Sequence, residues 1–341
     1  MKKNNFDNSL VFWDTAKMYL YHYLPEVRNV SPNTVSAYQN SLNHYIDYLE
    51  QERNSVRKNI TFNDFNRDNM KAYITWMTND CLLTAKTCNL RLSAIRSLLE
   101  YAASEHSDLM PSYLGVCSVK NIKTSDNPIE FFETSQLKAL LSAPDTTRKV
   151  ERRNQMMLIL MYDSAARVSE ILSLKVGDLH LNSRVPYITI NGKGHKYRNV
   201  PLMPKTIRHL NRYLKDFHNH LYLDRALFYA VTHGEQHPLS SDTMEIMLKR
   251  YTSKCISDGI DMPSRPHCHM IRKTRAMDLY QSGVPLTHIQ QLLGHEDLST
   301  TAGFYAFATL DTLSKSLEKI NGVQSVKKWN NKEIQSKIYR L

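Results

Sequence analysis

Pro186-Tyr187-Ile188-Thr189-Ile190-Asn191-Gly192-Lys193-Gly194-His195-Lys196-Tyr197-Arg198-Asn199-Val200-Pro201 is the place in the chain where the apolar period changes most clearly. Two short runs rich in β-branched and aromatic residues flank a Gly-containing turn, a pattern that predicts a β-hairpin with a basic tip. Around it the period returns to that of helices. Gln155 to Leu174 is dense in Met, Leu and Ile, and helical patterning marks 134 onward, 204–218, 240–259, 266–282, 285–293 and 310–320, while Leu227 to Val231 gives a weaker strand reading. Toward the N-terminus, Ser31-Pro32-Asn33-Thr34 carries the N-cap serine and first-turn proline of a helix start, followed by Val35, Leu42, Tyr45, Ile46 and Leu49 on one face. A second amphipathic helix runs from Thr84 to Ala103 with Leu90, Leu92, Ile95, Leu98 and Leu99 apolar. The chain reads as mainly α with a small β-hairpin or sheet.

With 341 residues, two domains are expected, each able to bury its own core. The polar segment 104–127, with Pro111, Gly115, Lys120 and Lys123, reads as a connector between them. Five cysteines, Cys81, Cys88, Cys117, Cys255 and Cys268, form no Cys-x-x-Cys pair, which argues against a disulfide framework or a four-cysteine zinc site and fits a reducing cytoplasm. No export signal or membrane-spanning run is legible. The formal net charge is +11, and because residues 1–130 sum to zero, all of it falls in 131–341. A basic second half fits a polyanionic partner such as nucleic acid, against the plainer reading of simple solubility. Lys86, Arg91 and Arg96 on the 84–103 helix, and Lys196 and Arg198 on the hairpin, are candidate DNA contacts; a solvated face is the alternative.

Five polar features of the second half bear on chemistry. Arg167 lies in Ala165-Ala166-Arg167-Val168-Ser169-Glu170, an apolar setting at a helix start, where it needs an anion; Glu170, three residues on, offers an internal salt bridge. Lys193 sits on the hairpin tip. His269 and Arg272 share a helical face by their i,i+3 spacing. His295 follows Leu292-Leu293-Gly294, a helix ending on glycine. Tyr305 follows Ser299-Thr300-Thr301. Singly each has an ordinary structural explanation, and most of the 19 tyrosines belong in a core. Together they form a kit for phosphoryl transfer in which cations hold the transition state and a tyrosine attacks.

In order and spacing, Ala-Arg-Val-Ser-Glu, Gly-Lys-Gly-His-Lys with its Val-Pro-Leu strand, His-x-x-Arg, Leu-Leu-Gly-His and the Asp-Leu-Ser-Thr-Thr stretch leading to Tyr305 resemble the tyrosine recombinase (phage integrase) family over residues 130–320. Residues 31–50 and 84–101 look like that family's helical core-binding domain. The resemblance implies a core-binding, SAM-like DNA-binding domain at 6–115, a linker at 116–130, a catalytic domain at 131–322 and a basic tail at 323–341. It implies that Tyr305 attacks the scissile phosphate and forms a 3′-phosphotyrosyl link, that Arg167 and Arg272 hold the non-bridging oxygens, that Lys193 protonates the leaving 5′-oxygen, that His269 takes the tyrosine proton and that His295 stabilises the pentavalent state. No metal, nucleotide or other cofactor is implied. The implied partners are double-stranded DNA with specific sites and a homotetramer acting through a Holliday junction, the two domains closing on DNA as a C-shaped clamp, with an accessory DNA-bending protein as a further candidate.

Two departures from the family pattern are visible: Lys273 stands where many relatives carry a second His, and the interval from His295 to Tyr305 is one residue longer, with Gly303 as the extra residue. The early start of the core-binding domain points to a simple, Xer-like architecture without a further N-terminal arm-binding domain. The 310–320 helix is a candidate for docking into a neighbouring protomer, and a mobile-element role in integration or transposition is the expectation over chromosome resolution. The rival readings are a non-catalytic DNA-binding regulator on the same scaffold, a metal-dependent site built on His267-Cys268-His269, and a relaxing topoisomerase using the same tyrosine chemistry.

Overall fold

The structure, a computed structural model, describes residues 8–124, 130–192, 196–218, 220 and 222–294. The chain divides into two compact units between residues 126 and 127.

The first unit is helical. Helix α1 (Ser9–Met18) begins at Asn8, whose side chain accepts the Leu10 N–H, and runs on into a π-helical stretch, Tyr19–Val27, that contains Pro25. Helices α2 (Pro32–Arg53), α3 (Arg67–Asn79) and α4 (Ala85–Glu105) follow, with Ser31, Asn66 and Thr84 as N-caps. The fully buried aromatic rings of Phe12, Tyr19, Tyr45, Phe62, Phe65 and Tyr73 pack between them. Tyr73 Oη keeps a polar partner inside that core, 2.7 Å from His44 Nδ1. The segment read as a connector is structured over its first half: α5 (Met110–Cys117) sends Val116, and just beyond it Val119, into the same core. Its proline sits in the first turn, where the missing N–H costs nothing, so the breaker residue opens a helix instead of ending one.

The second unit is organised around α7 (Lys149–Ser164). Met156, Met157, Leu158, Leu160 and Met161 are all buried, giving a helix covered on nearly every side by α6 (Thr134–Ser142), α8 (Val168–Leu172) and later elements. The predicted hairpin is present as β2 (Tyr187–Asn191) and β3 (Tyr197–Pro201), joined by a short β1 (Leu179–His180) in the antiparallel order β1-β2-β3. Ile188 pairs with Val200 and Ile190 with Arg198, and the two isoleucines and the valine are fully buried. Helix α9 (Pro204–Phe217) follows. The weak strand reading becomes β4 (Tyr229–Thr232), shifted by two residues and paired with an unanticipated β5 (Glu235–Pro238). His233 and Gly234 between them both have positive φ, the geometry of a type I′ turn, so turn chemistry makes this exposed hairpin where apolar alternation is lacking. Helices α10 (Ser241–Ser257), α11 (Cys268–Gln281) and α12 (Leu286–Leu293) complete the described fold, each within two or three residues of its predicted limits. The predicted 310–320 helix and the basic tail lie outside the described residues. No described helix is long and apolar enough to cross a membrane.

Leu90 and Leu92, both read as apolar-face residues, differ: Leu92 is fully buried and Leu90 is 63% exposed. Leu92→Ala is therefore expected to lower unfolding stability by about 2–5 kcal/mol, and Leu90→Ala to change it by less than about 0.5 kcal/mol. Denaturant titration of the two variants checks the difference; equal losses would contradict this packing.

Candidate active site

Helix α7 ends at Ser164 because Ala165 adopts a left-handed conformation, φ +50°, which turns the chain back and lets Arg167 open α8. Three residues into that helix Glu170 is only 5% exposed. Its Oε2 accepts the backbone N–H of Arg167 at 2.7 Å, and its Oε1 accepts Arg167 Nη1 at 2.9 Å. From β3, Arg198 places a fork on the same carboxylate, with Nη1 donating to Oε1 at 3.0 Å and Nη2 to Oε2 at 2.7 Å. Arg272, from α11, lies 3.9 Å from Oε2. Desolvation pushes the Glu170 carboxyl up, but the hydrogen bonds and charges of Arg198 and Arg167 outweigh it and hold the group below the usual carboxylate range. Glu170 is therefore ionised and surrounded by three guanidinium groups. Breaking such a buried pair from one side costs on the order of 3–5 kcal/mol.

The two outer arginines also grip the end of α12. Arg198 Nε donates to the Leu292 carbonyl at 3.0 Å, while Arg272 donates through Nη2 to the Leu293 carbonyl at 2.6 Å and through Nη1 to the Ala165 carbonyl at 2.8 Å. Carbonyls orphaned at a helix C-terminus are thus satisfied by cations. Gly294, at φ +63°, ends the helix, and a Cβ there would stand 3.1 Å from Arg198 Nη1. Arg272 is fixed in this way as the floor of the site, with its side chain 3% exposed. Arg167 is the open member: its side chain is 38% exposed, and among the described residues its Nε and Nη2 donate to no group. That combination of one anchored and one available edge suits an incoming anion.

His269 stands one turn before Arg272 on α11 and presents an exposed edge. Desolvation by the surrounding protein atoms, then the charges of Arg272, Lys273, His267 and Arg167, push its imidazole down to about 4. At neutral pH it is an uncharged ring beside fixed cations, able to accept a proton.

The structure therefore brings Arg167, His269 and Arg272 together, and adds Glu170 as the common anchor. Lys193, His295 and Tyr305 lie outside the described residues. Among the candidate DNA contacts, Lys86 is exposed on α4 and Lys196 is exposed at the base of the hairpin turn. Arg91 is half-buried, with its charge near the Tyr73 hydroxyl. Arg96 already donates to Asn121 Oδ1 at 2.7 Å and to the Val119 carbonyl, and Arg198 is 13% exposed and donates to Glu170 and Leu292. For these last two the geometry is that of internal braces. The period-2 pattern carries the clue for Arg198, since it lies two residues before buried Val200 and so on the inward face of β3. Nothing in the sequence marks the Ala165 and Leu293 carbonyls that orient Arg272. Cys268, the middle of His267-Cys268-His269, is buried, and among the described residues no group of three or more His, Cys, Asp or Glu is placed to hold a metal ion.

Residues 130–309 match the model of the phage integrase family, and residues 19–106 match that of the phage integrase N-terminal SAM-like domain. The chain is 29% identical over 309 residues to the tyrosine recombinase XerC of Bacillus pumilus, covering 89% of this chain and 96% of that protein. It is 28% identical over 283 residues to the tyrosine recombinase XerD of Listeria monocytogenes, covering 82% and 90%. In fold it is similar to the XerH site-specific recombinase bound to palindromic difH substrate in a post-cleavage complex, with a TM-score of 0.66 and 21% identity over 91% of this chain and 84% of that one. It is likewise similar to the Tn1549 transposon integrase in complex with circular intermediate DNA, with a TM-score of 0.65 and 17% identity over 89% and 99%.

The downward shift of His269 gives a prediction with a definite sign. A folded value below the unfolded one means that deprotonation favours the native state, so this contribution to stability is present above about 6.5 and is lost as pH falls toward about 4. In NMR titration of the free protein the His269 ring is expected to have its midpoint near 4, and Lys273→Gln is expected to raise it. A midpoint at or above 6.5 would contradict the cationic, desolvated setting.

Proposed function

The chain belongs to the phage integrase family, and from that membership we propose that it is a site-specific DNA recombinase that cuts and rejoins strands through a covalent tyrosyl intermediate. The observation that carries the reading is the pairing of Arg167 and Arg272 about Glu170, with a neutral His269 on the same helix as Arg272. A phosphodiester carries one negative charge that grows on its non-bridging oxygens as a nucleophile enters. Arg167 meets that charge from the open side and Arg272 from the floor, in a preorganised arrangement that needs little movement during reaction.

In the proposed sequence, Tyr305 Oη attacks the scissile phosphorus while His269 accepts the phenolic proton. The bond to the 5′-oxygen breaks, Lys193 supplies the proton to that oxygen, and His295 donates a hydrogen bond to a non-bridging oxygen of the pentavalent phosphorus centre. The product is a 3′-phosphotyrosyl enzyme and a free 5′-hydroxyl. Attack by a 5′-hydroxyl of another strand reverses the steps and restores Tyr305, so the phosphodiester energy is conserved and neither nucleotide hydrolysis nor a metal ion enters the balance. A phenol ordinarily ionises near 10, so a base and adjacent cations are needed for attack at neutral pH.

The proposal extends to four protomers acting on two DNA sites through a Holliday junction. Lys86, Arg91 and Lys196 are its DNA-contacting candidates, and the whole +11 excess in the second part of the sequence supplies the salt-dependent attraction. Two relatives are named tyrosine recombinases and one structural neighbour a transposon integrase, and integration or transposition of a mobile element in the cytoplasm is the role proposed here.

The test mixes wild-type protein and Tyr305→Phe with nicked duplexes from the flanks of its own gene, in EDTA, followed by denaturation in detergent. A protein–DNA adduct with wild type and none with the variant is the expected result. An adduct that persists in Tyr305→Phe, or DNA binding by wild type with no adduct, would contradict the proposal.

A further inference from the structure

Two arginines suffice to hold the phosphate in this reading, yet three surround Glu170. Arg198 uses all of its nitrogens inside the protein: two on the carboxylate and Nε on the Leu292 carbonyl. The backbone is shaped around it on two sides. A Cβ at Gly192 would lie 3.4 Å from Arg198 Nη1, and one at Gly294 would lie 3.1 Å from the same nitrogen. The guanidinium thus sits between the base of the hairpin turn and the end of α12.

A carboxylate offers about four acceptor positions. On Glu170 they are taken by the Arg167 N–H, by Arg167 Nη1 and by the two ends of the Arg198 fork. Without the fork, two desolvated acceptor positions would open within reach of Arg167, whose Nε and Nη2 donate to nothing among the described residues. The favoured geometry of arginine on a carboxylate is bidentate. Arg167 would turn inward to complete it, withdrawing the donors that face the open side, and Arg272, 3.9 Å away, would be drawn toward the same oxygens.

We infer that Arg198 is a positioning residue for DNA cleavage: by forking Glu170 it saturates that carboxylate, so that Arg167 keeps its outward donors for the scissile phosphate. By holding Leu292 it also ties β3 to the end of α12. The inference rests on the recombinase reading above and assigns Arg198 no contact with DNA.

The experiment compares wild type, Arg198→Met and Arg198→Lys in single-turnover adduct formation on a nicked duplex from the flanks of the gene, in EDTA. The scissile position carries either the natural phosphodiester or a methylphosphonate, whose missing negative charge removes the need for arginine neutralisation. Arg198→Met is expected to bind DNA within about threefold of wild type and to form adduct at least about thirtyfold more slowly on the phosphodiester. On the methylphosphonate its deficit relative to wild type is expected to shrink to about threefold or less. Arg198→Lys keeps the charge without the fork and should fall between; it carries the same comparison if Arg198→Met does not fold. In the double variant with Glu170→Gln the two losses should not multiply, because both act on one pair. Equal slowing on both substrates, or an unimpaired Arg198→Met, would overturn the role of Arg198 while a normal wild-type adduct leaves the recombinase reading standing. Failure of wild type to form adduct on DNA that it binds would instead contradict the recombinase reading itself.

Discussion

A carboxylate removed from water must be paired, and in this protein that requirement falls on Glu170. Its two oxygens collect an arginine from its own helix, a second from the hairpin and the near approach of a third from α11. Because those arginines in turn satisfy carbonyls at Ala165, Leu292 and Leu293, one buried negative charge fixes the relative positions of four segments distant in sequence. The result is an excess of positive charge that is rigid, largely dry and open on one side through Arg167. Such an arrangement holds an anion without reorganising, which is what a phosphoryl-transfer site needs.

Much of the scaffold is legible in the sequence. The helix start at Ser31 announces itself through its capping serine and first-turn proline, the helices near 84–103 and 240–259 through their apolar period, and the hairpin through its period of two and its glycines. What escaped was structure whose composition contradicts its conformation. Helix α5 carries the proline and glycine of a linker, a proline lies inside the π-helical stretch after α1, and the exposed strand β5 that pairs with β4 has no apolar alternation to betray it. In each case tertiary packing or turn geometry overrides local propensity.

The site divides in the same way. The Arg167–Glu170 pair follows from a three-residue spacing, and His269 and Arg272 from another. Arg198 reads in sequence as one more basic residue near a basic turn, although strand alternation places it beside buried Val200. The grip on Arg272 was illegible, since backbone carbonyls carry no residue signature. A regulator on the same scaffold would need the DNA-binding surface but not a desolvated carboxylate forked by one arginine to leave another available. The presence of that costly feature is the physical reason for preferring catalysis.

The most direct test of this account is the single variant Glu170→Ala, assayed for DNA affinity and for the rate of protein–DNA adduct formation in EDTA. If Glu170 organises the arginines, affinity should stay within about threefold of wild type while the rate falls at least about a hundredfold, since the loss then lies in the transition state and not in binding. Adduct formation at the wild-type rate would contradict the claim that this carboxylate holds the site together.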